Sequence, residues 1–331
     1  MNKDFDFVAI GDMVVDAFIK LEHAKEVCNA NTGKCELCIS YPDKVPYEFM
    51  VECPAVGNSS NAAVSAARLG LKSALIANIG DDHDGEKCIE SLKKDGVDPE
   101  FVKVNSGMKT NYHYVLWYQK DRTILIKHEN YPEIMPDIGS PKWLYLSSMG
   151  EKTLAFHGEI EKYLDAHPDI KLVFQPGTFQ MEFGTEALAG LYKKTKIFFC
   201  NVEEAQRILK TGEKDHLVLL KKMQELGPEV VVITDGPNGA YAYYGDAAIF
   251  MPAYPDPKPP YERTGAGDAY ASTFTSAIIL GKNVEEALKW ASINSAYVVQ
   301  DIGAQKGLQH AGDIEKYLRE APADWIAKKI N

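Results

Sequence analysis

Short apolar runs alternate with segments of helical periodicity along most of the chain. Each run has four to six residues, mainly Val, Ile, Leu, Phe and Ala, and polar or glycine-containing positions follow it. Continuous apolar runs of this length are typical of strands buried on both faces. The predicted strands lie at 5–10, 74–79, 143–146, 172–175, 197–200 and 230–234. Strands separated by helices predict an α/β fold with a mainly parallel sheet covered on both faces.

Four segments carry the spacing of helices. Small and apolar residues recur at helical spacing over 61–69, and Gly70 follows as a typical helix end. A second helix is predicted over 85–94, and two longer ones over 267–280 and 284–299. These helices supply the layers that cover the predicted sheet.

Two segments have a different, β-rich pattern. Residues 18–53 hold short β-like pieces that prolines interrupt, and 110–129 contains two aromatic and β-branched runs around the polar stretch 119–122. We expect 110–129 to form a hairpin that pairs with the strands of 18–53. The two segments therefore predict a small sheet outside the main body.

The composition is that of a globular protein with an acidic surface. Apolar residues make up 45% of the 331 positions, enough to bury a substantial core. Lys and Arg total 36 against 47 Asp and Glu, which gives a formal net charge of −11. Such a surface repels polyanions and argues against nucleic acid and anionic membranes as partners. An anionic small ligand remains compatible with this charge if a local set of donors holds it.

The first residues predict a cytoplasmic location. Positions 1–6 lack the basic and apolar regions of a signal peptide. No apolar run approaches the roughly 20 residues that a membrane-spanning helix needs.

Four of the six cysteines cluster early in the chain, at Cys28, Cys35, Cys38 and Cys53. Cys35 and Cys38 form a C-x-x-C pair, and the other two could complete a four-sulfur zinc site. Cys28 and Cys53 lack the C-x-x-C spacing, and no βαβ pattern of the thioredoxin type surrounds the cysteines. We therefore expect reduced thiols in a small β appendage, with a zinc site as the alternative.

Gly265-Ala266-Gly267-Asp268 stands at the start of a predicted helix. Glycines there let backbone N–H groups converge on an anion, and the positive end of the helix dipole assists them. The stretch is not a dinucleotide-binding fingerprint, because Tyr270 stands where the third glycine is required. Asp268 either complements the helix dipole or, beside a bound anion, accepts a proton from an attacking hydroxyl.

Five short motifs are spread along the chain in a defined order. Residues 57–70 are similar to G-G-x-x-N…A…R-L-G, 79–86 to I-G-x-D-x-x-G-E, and 201–204 to N-x-x-E. Residues 234–239 match T-x-G-x-x-G, and 262–268 are similar to D-T-x-G-A-G-D. In this order, and over nearly the whole chain, the motifs resemble those of the ribokinase (PfkB) family of carbohydrate and nucleoside kinases.

The resemblance implies one ribokinase-like, Rossmann-like α/β domain over residues 1–331. This domain would have three layers, with a mainly parallel sheet at its centre. The segments at about 18–53 and 110–129 would form a β-sheet lid that closes over the acceptor and excludes water. The same lid would carry a homodimer contact.

The resemblance also implies a phosphotransferase that uses ATP and Mg²⁺ and has an alcohol group as acceptor. Asp268 would accept the proton of the acceptor hydroxyl, a role that contributes about 10²- to 10⁴-fold to the rate. The N–H groups of residues 265–267 would hold the charge on the transferred phosphoryl group. Asn201 and Glu204 would organise Mg²⁺ through water, which suits a cation that dehydrates reluctantly.

Binding residues for both substrates follow from the same motifs. Those implied for the nucleotide are Asn201, Glu204, Thr234, Gly236, Gly239 and Ser292. Those implied for the acceptor are Asp16, Gly57, Asn58 and Asn61. The two carboxylate oxygens of Asp16 can accept hydrogen bonds from vicinal hydroxyls, which suits a polyol.

The segment before the glycine turn departs from the family signature. Glu262 stands in place of Asp, and Arg263 in place of Thr. In many relatives this stretch lies beside a monovalent cation such as K⁺, and Glu262, Thr264, Asp301 and Gly303 are the matching candidates. We expect Arg263 either to contact phosphate or to weaken the cation site, which leaves the dependence on K⁺ open.

Three departures concern the acceptor. Asn58 replaces the second signature glycine. Val14 stands where ribokinase has a sugar-contacting Asn, and Ser148 falls near the place of a contacting Glu. The sequence therefore predicts a sugar-like acceptor without specifying ribose.

The primary prediction is an ATP-dependent kinase for a small sugar or sugar-like acceptor. The alternative within the same fold is a nucleoside kinase, which a large apolar pocket reached by Tyr112, Tyr114 and Trp117 would favour. We expect these aromatic residues to pack within the lid or a dimer contact instead. A catalytically silent relative that only binds ligand is disfavoured, because Asp268 and the N-x-x-E motif are intact.

Overall fold

The computed structural model describes residues 4–29, 35–119 and 121–330. In chain order its strands are β1 (Phe7–Ile10), β2 (Val14–Leu21), β3 (Lys25–Cys28), β4 (Cys35–Cys38), β5 (Tyr47–Val56), β6 (Ser73–Gly80), β7 (Val97–Asp98), β8 (Val102–Asn105), β9 (Asn111–Tyr118), β10 (Asp121–Leu125), β11 (Trp143–Leu146), β12 (Lys171–Phe174), β13 (Thr195–Asn201), β14 (Val230–Thr234), β15 (Ala240–Tyr244), β16 (Ala247–Met251) and β17 (Lys328–Ile330).

The helices, in chain order, are α1 (Asn58–Arg68), α2 (His83–Lys94), α3 (Leu154–Ala166), α4 (Thr178–Ala187), α5 (Ala189–Lys194), α6 (Val202–Leu209), α7 (His216–Gln224), α8 (Ala266–Ile279), α9 (Val284–Val298) and α10 (Ala311–Glu320). A short 3₁₀ turn lies at Gly236–Asn238. Across the described ranges, no helix combines the length and the apolar character that a membrane crossing requires.

A large sheet runs through the middle of the molecule. Its strand order is β17-β16-β15-β14-β13-β12-β11-β1-β6-β7, and β8 also pairs with β6. The strands from β14 to β7 are parallel to their neighbours, as the alternation of strands and helices predicts. The edge formed by β15, β16 and β17 is antiparallel. The sequence analysis does not predict this edge, because strands of five residues or fewer carry little pattern of their own.

Helices cover both faces of the large sheet. Along β1 the side chains alternate, so that Phe7 and Ala9 pack into one core cluster while Val8 and Ile10 pack into the other. Helices α1, α2, α8, α9 and α10 contribute to the first cluster, and α3, α5, α6 and α7 to the second. The predicted three-layer α/β architecture with a mainly parallel sheet is confirmed.

Parallel strands place their carboxyl ends at one edge of the large sheet. Asp12, Gln175, Asn201 and Thr234 lie at or just after the ends of β1, β12, β13 and β14. Open α/β sheets bind their ligands at this edge. The topology therefore brings together polar residues that are far apart in the sequence.

A smaller sheet has the strand order β10-β9-β2-β5. The hairpin expected over 110–129 is β9 and β10, and β9 pairs in parallel with β2. β5 completes this sheet on the other side of β2. The smaller sheet begins at Val14, four residues earlier than the expected start at residue 18.

β3 and β4 form a separate two-stranded ribbon, in which Cys28 and Cys35 are joined by a disulfide. The expectation of reduced thiols is therefore wrong for this pair, because antiparallel pairing places the two cysteines opposite each other. Cys38 is an exposed free thiol of β4, while Cys53 belongs to the smaller sheet. The four sulfurs thus do not form the zinc site considered from the spacing.

Candidate active site

Two cavities lie on either side of the turn that begins α8. The first, of about 400 Å³, is lined by residues from the end of β14, the 3₁₀ turn and α9. The second, of about 440 Å³, is lined by residues that follow β1, by the smaller sheet and by the start of α1. Thr234, Arg263, Ala266 and Gly267 line both cavities, so this turn is part of their common wall.

The turn is anchored at both of its ends. Gly265 has a left-handed backbone (φ 82°) and directly precedes α8. Before it, Glu262 Oε1 accepts hydrogen bonds from the backbone N (2.9 Å) and the hydroxyl (2.6 Å) of Thr264. After it, Ser295 Oγ donates to the carbonyl oxygen of Ala266 at 3.0 Å. Because the first N–H groups of a helix have no partner within that helix, α8 presents donors where the two cavities meet.

Asp268 is the third residue of α8, and its buried side chain lines the second cavity. Its Oδ1 accepts hydrogen bonds from Asn58 Nδ2 (2.7 Å) and Gln175 Nε2 (3.2 Å), and its Oδ2 accepts one from Asn61 Nδ2 (2.8 Å). Burial raises the pKa of Asp268 above its ordinary value, and the three amide donors lower it in part. The donors stabilise the ionised form, which is the form that accepts a proton.

Further hydrogen bonds fix the orientation of two of these amides. The fully buried Tyr145 donates its hydroxyl to Gln175 Oε1, which directs Gln175 Nε2 toward Asp268. Gln305 Nε2 donates to Asn61 Oδ1 at 3.0 Å, which likewise directs Asn61 Nδ2 toward the carboxylate. An amide turned the other way would leave two acceptors facing each other, so the donors around Asp268 are positioned in advance.

Asn201 and Glu204 form a capping box at the start of α6. Asn201 Oδ1 accepts from the backbone N of Glu204 (2.8 Å), and Glu204 Oε2 accepts from the backbone N of Asn201 (2.9 Å). Both residues line the second cavity. Burial raises the pKa of Glu204, and the charge of Asp268 raises it further, while the N–H of Asn201 lowers it in part. The carboxylates of both Glu204 and Asp268 therefore line this cavity.

Two more carboxylates of the second cavity lie beside histidines. Asp16 Oδ1 is 3.4 Å from His113 Nδ1, and Asp12 Oδ2 is 3.3 Å from His128 Nδ1. The two imidazole rings are 5.1 Å apart. Each carboxylate thus has a ring nitrogen beside it and can take part in a polar network with a ligand. All the residues predicted for the acceptor line this cavity: Asp16, Gly57, Asn58 and Asn61.

The first cavity contains most residues predicted for the nucleotide. Ser292 Oγ accepts a hydrogen bond from the backbone N of Tyr254 (2.8 Å) and so holds that loop against α9. Arg263 is exposed at the boundary of the two cavities. The predicted nucleotide residues that line the first cavity are Thr234, Gly236, Gly239 and Ser292.

The candidates for a monovalent cation have partners within the protein. The carboxylate of Glu262 is buried and lies 3.2 Å from Arg122 Nη1. Asp301 is paired with Lys306 at 2.9 Å. Gly303 packs against Cys53, and Thr264 is held by Glu262 as described above.

The aromatic residues of β9 pack against other protein groups. Tyr112 and Tyr114 contact each other with ring centroids 5.2 Å apart, and Trp117 contacts Tyr261 at 5.1 Å. The second cavity is instead lined in this region by Ile124 and Ile126. Trp117 is buried, whereas Tyr114 is 46% exposed, so burial of these aromatic residues in a dimer contact stays a prediction.

Sequence reasoning missed several residues of the second cavity. Gln175, Asp12 and the two histidines were not singled out, nor was Arg122. Gln175 ends a predicted strand of the parallel sheet and Asp12 lies two residues after one. The carboxyl end of a parallel strand is a usable signal for ligand-binding side chains. The histidines and Arg122 carry no such signal, because only the packing of the smaller sheet directs them to the cavity.

A comparison with protein-family models identifies the family. The model described as pfkB family carbohydrate kinase matches residues 21–311. The chain belongs to the pfkB family. All five sequence motifs, including Asp268, lie within the matched range. As a member of this family, the protein is a phosphotransferase with an alcohol group as acceptor.

Relatives within the family differ in their named substrates. The chain is 25% identical over 276 residues to a ribokinase of Bacillus subtilis (strain 168), covering 79% of the chain and 87% of that protein. It is 24% identical over 324 residues to a nucleoside kinase of Methanothermobacter thermautotrophicus, with 96% of each covered.

A solved structure, that of Arabidopsis thaliana ribokinase complexed with ribose and ATP, matches with a TM-score of 0.79 at 19% identity. The match covers 96% of this chain and 99% of that one. The predicted ribokinase-like fold is confirmed by this likeness. The choice between sugar and nucleoside is left to the chemistry of the site.

Proposed function

We propose that the protein transfers the γ-phosphoryl group of ATP to a hydroxyl of a small sugar or sugar-like acceptor. The observation that carries this proposal is the position of Asp268. A carboxylate held by three amides lies in the acceptor-side cavity, at the start of a helix that the nucleotide-side cavity also touches. This is the arrangement that a base needs when it activates a hydroxyl toward a phosphoryl group.

In the proposed reaction the acceptor lies in the second cavity with one hydroxyl at Asp268. Asp268 takes the hydroxyl proton as the acceptor oxygen forms a bond to the γ-phosphorus and the bond to the β–γ bridging oxygen breaks. The N–H groups of residues 265–267 stabilise the charge on the transferred group. ADP leaves with the bridging oxygen, and the proton on Asp268 passes to solvent.

The first cavity is proposed to hold ATP. Gly236 and Gly239 would border the phosphates and ribose, and Ser292 lies on the helix that would wall the base. Arg263 lines both cavities, so its guanidinium can reach the phosphates from the boundary. Of the two roles expected for Arg263, this position favours contact with phosphate over weakening of the cation site.

The residues present fit Mg²⁺ on the acceptor side of the turn. The carboxylates of Glu204 and Asp268 both line the second cavity, and carboxylate oxygens are ligands that suit a hard cation such as Mg²⁺. Glu204 would hold the ion through water, since its Oε2 already accepts the N–H of Asn201. When bound, Mg²⁺ neutralises the phosphate charge.

A sugar is favoured over a nucleoside as the acceptor. The cavity presents the carboxylates of Asp12 and Asp16, which bind hydroxyls, and its aromatic wall is Phe199 with the two imidazoles. Among the described lining residues no Tyr or Trp offers a face for a base. A nucleoside acceptor is the second candidate, because one of the relatives is a nucleoside kinase.

The smaller sheet is proposed to act as a lid on one domain that spans residues 1–331. Its segments, about 18–53 and 110–129, contribute His113, Arg122 and the apolar wall to the second cavity. Side chains of β5 and β10 expose apolar surface, which supports a homodimer contact there: Tyr47, Met50, Val51, Ile124 and Leu125. A cytoplasmic location remains a prediction from the sequence.

An acceptor screen tests the proposal. ADP formation is measured with ATP, Mg²⁺ and, in turn, pentoses, hexoses, sugar acids and nucleosides. We expect a sugar or sugar acid to give the highest kcat/KM. A response from nucleosides alone would reverse the choice of acceptor.

Asp16→Asn is expected to raise the KM for that sugar by about 10- to 100-fold, the cost of losing hydrogen bonds to a charged group. The kcat should change less, because Asp16 binds hydroxyls and takes no proton. Asp246→Asn, in the exposed turn between β15 and β16, is the control and should leave both constants unchanged. A lower kcat with an unchanged KM would contradict the binding role.

The pH profile of kcat/KM tests the state of Asp268. Activity requires the ionised carboxylate, whose pKa is raised by burial, so the acid limb should lie at higher pH than that of an ordinary Asp. Gln175→Leu removes one donor to the ionised form, so the pKa rises further and the limb moves to still higher pH. The two profiles are compared at saturating ATP. Coincident acid limbs would show that Gln175 does not tune this group.

A further inference from the structure

Glu262 is a buried carboxylate directly before the glycine turn. It is only 3% exposed, and one of its oxygens, Oε1, accepts both hydrogen bonds from Thr264. Its other oxygen, Oε2, is buried without a hydrogen bond to the described residues. A buried carboxylate in this state needs a positive group nearby.

The positive group comes from the smaller sheet. Arg122 Nη1 lies 3.2 Å from Glu262 Oε1, and in the described part of the chain no other side-chain cation lies within 4 Å of this carboxylate. Arg122 is on β10, opposite Trp117 of β9. Trp117 in turn packs edge-on against Tyr261, with ring centroids 5.1 Å apart. Two cross-strand neighbours thus contact two consecutive residues, Tyr261 and Glu262.

The residues that the resemblance assigns to K⁺ do not fit an alkali cation here. A guanidinium beside the Glu262 carboxylate repels a second cation. Asp301 has its own ammonium partner, because Lys306 Nζ lies 2.9 Å from its Oδ1. Each of the two candidate carboxylates therefore already has a cationic partner within the protein, a buried one at Glu262 and an exposed one at Asp301.

We propose that Arg122 takes the place of the monovalent cation and positions the glycine turn, so that the kinase reaction, as proposed above, does not depend on K⁺. Arg122 holds Glu262, Glu262 holds Thr264, and Thr264 precedes Gly265. The positive charge that orders the anion-binding N–H groups is thus supplied by Arg122, a residue of the smaller sheet. Arg122 is a positioning residue, which acts through Glu262 and takes no part in proton transfer.

The experiment compares K⁺ with tetramethylammonium, each at about 0.1 M so that ionic screening is equal. Wild-type kcat should agree within about two-fold in the two salts. Arg122→Ala should lower kcat by about ten-fold or more in tetramethylammonium, because Glu262 loses its partner. For this variant, kcat should be about five-fold higher in K⁺ than in tetramethylammonium. Arg122→Lys keeps the charge, so it should stay active and insensitive to K⁺.

Thermal unfolding in the same two salts gives a readout that needs no acceptor. K⁺ should raise the Tm of Arg122→Ala and leave the wild-type Tm unchanged, since only the variant has a vacant site for the cation. The Tm comparison therefore tests the role of Arg122 even if the proposed acceptor is wrong. Lys127→Ala removes an exposed charge that pairs with Glu129 at 2.7 Å, and as the control it should match the wild type in every arm.

Two results would overturn the proposal. One is a wild-type enzyme that K⁺ activates by more than about five-fold, which would show that an alkali cation still acts at the turn. The other is an Arg122→Ala variant with wild-type kcat and the same Tm in both salts, which would show that Glu262 needs no partner.

Discussion

Asp268→Asn is expected to lower kcat by about 10²- to 10⁴-fold while the affinity for ATP is retained. An amide does not accept the hydroxyl proton, so the acceptor would have to attack unassisted. The new Nδ2 would also face amide donors that now point at the carboxylate. In the Oδ2 position it would face Asn61, and in the Oδ1 position both Asn58 and Gln175. The measurements are kcat with the best acceptor, the Kd for ATP from titration calorimetry, and the Tm.

The chain contains a matched control for this variant. Helix α10 begins Ala311-Gly312-Asp313, the same three residue types in the same positions as Ala266-Gly267-Asp268 in α8. If Asp268 only complemented a helix dipole, Asp313→Asn and Asp268→Asn would have similar, small effects on stability and none on kcat. We expect Asp313→Asn to keep wild-type kcat. A kcat of Asp268→Asn within about ten-fold of the wild type would end its assignment as the base.

Gly265→Ala is expected to lower kcat by about 10²- to 10³-fold, the loss seen when a donor to a developing charge is displaced. Gly265 has φ 82°, a region that L residues with a side chain adopt at a cost. A Cβ at this position would collide with Ala304, lying 2.6 Å from its Cα. The turn must move to relieve this contact, and the N–H groups of residues 265–267 then leave the position of the phosphoryl group.

Gly281→Ala separates backbone strain from the collision. Gly281 follows the other end of α8 with a similar φ of 87°, and a Cβ there would meet nothing within 4 Å. This control should lose about 1 kcal/mol of stability from the left-handed backbone alone and keep wild-type kcat. A folded Gly265→Ala with kcat within about three-fold of the wild type would show that the turn does not stabilise the transferred group.

The prediction of the fold from the sequence was accurate where the pattern was local. The strands expected at 143–146 and 230–234 are Trp143–Leu146 and Val230–Thr234, because buried parallel strands consist of short, continuous apolar runs. Gly70 and Gly281 predict the ends of α1 and α8 to within a few residues. The antiparallel edge of the sheet and the Cys28–Cys35 disulfide were not foreseen, since both depend on which short strands become neighbours.

The motifs identify individual residues of the site, but they do not identify the side chains that form hydrogen bonds or ion pairs with them. Asn58 departs from the family signature, yet its side chain reaches Asp268 across 210 residues of sequence. Gln175 reaches the same carboxylate from 93 residues away and belongs to no motif. The sequence suggests Arg263 as the group that either contacts phosphate or weakens the cation site, whereas the structure places Arg122 against Glu262.

The sequence by itself determined the α/β architecture, the order of the kinase motifs and the helix that begins beside Asp268, because periodicity, glycines and motif spacing are local properties. Only the tertiary structure decided which side chains meet: three amides on one carboxylate, histidines on Asp12 and Asp16, and Arg122 on Glu262. Such contacts join residues brought together by the packing of sheets and helices, and no local pattern encodes the partner of a polar side chain.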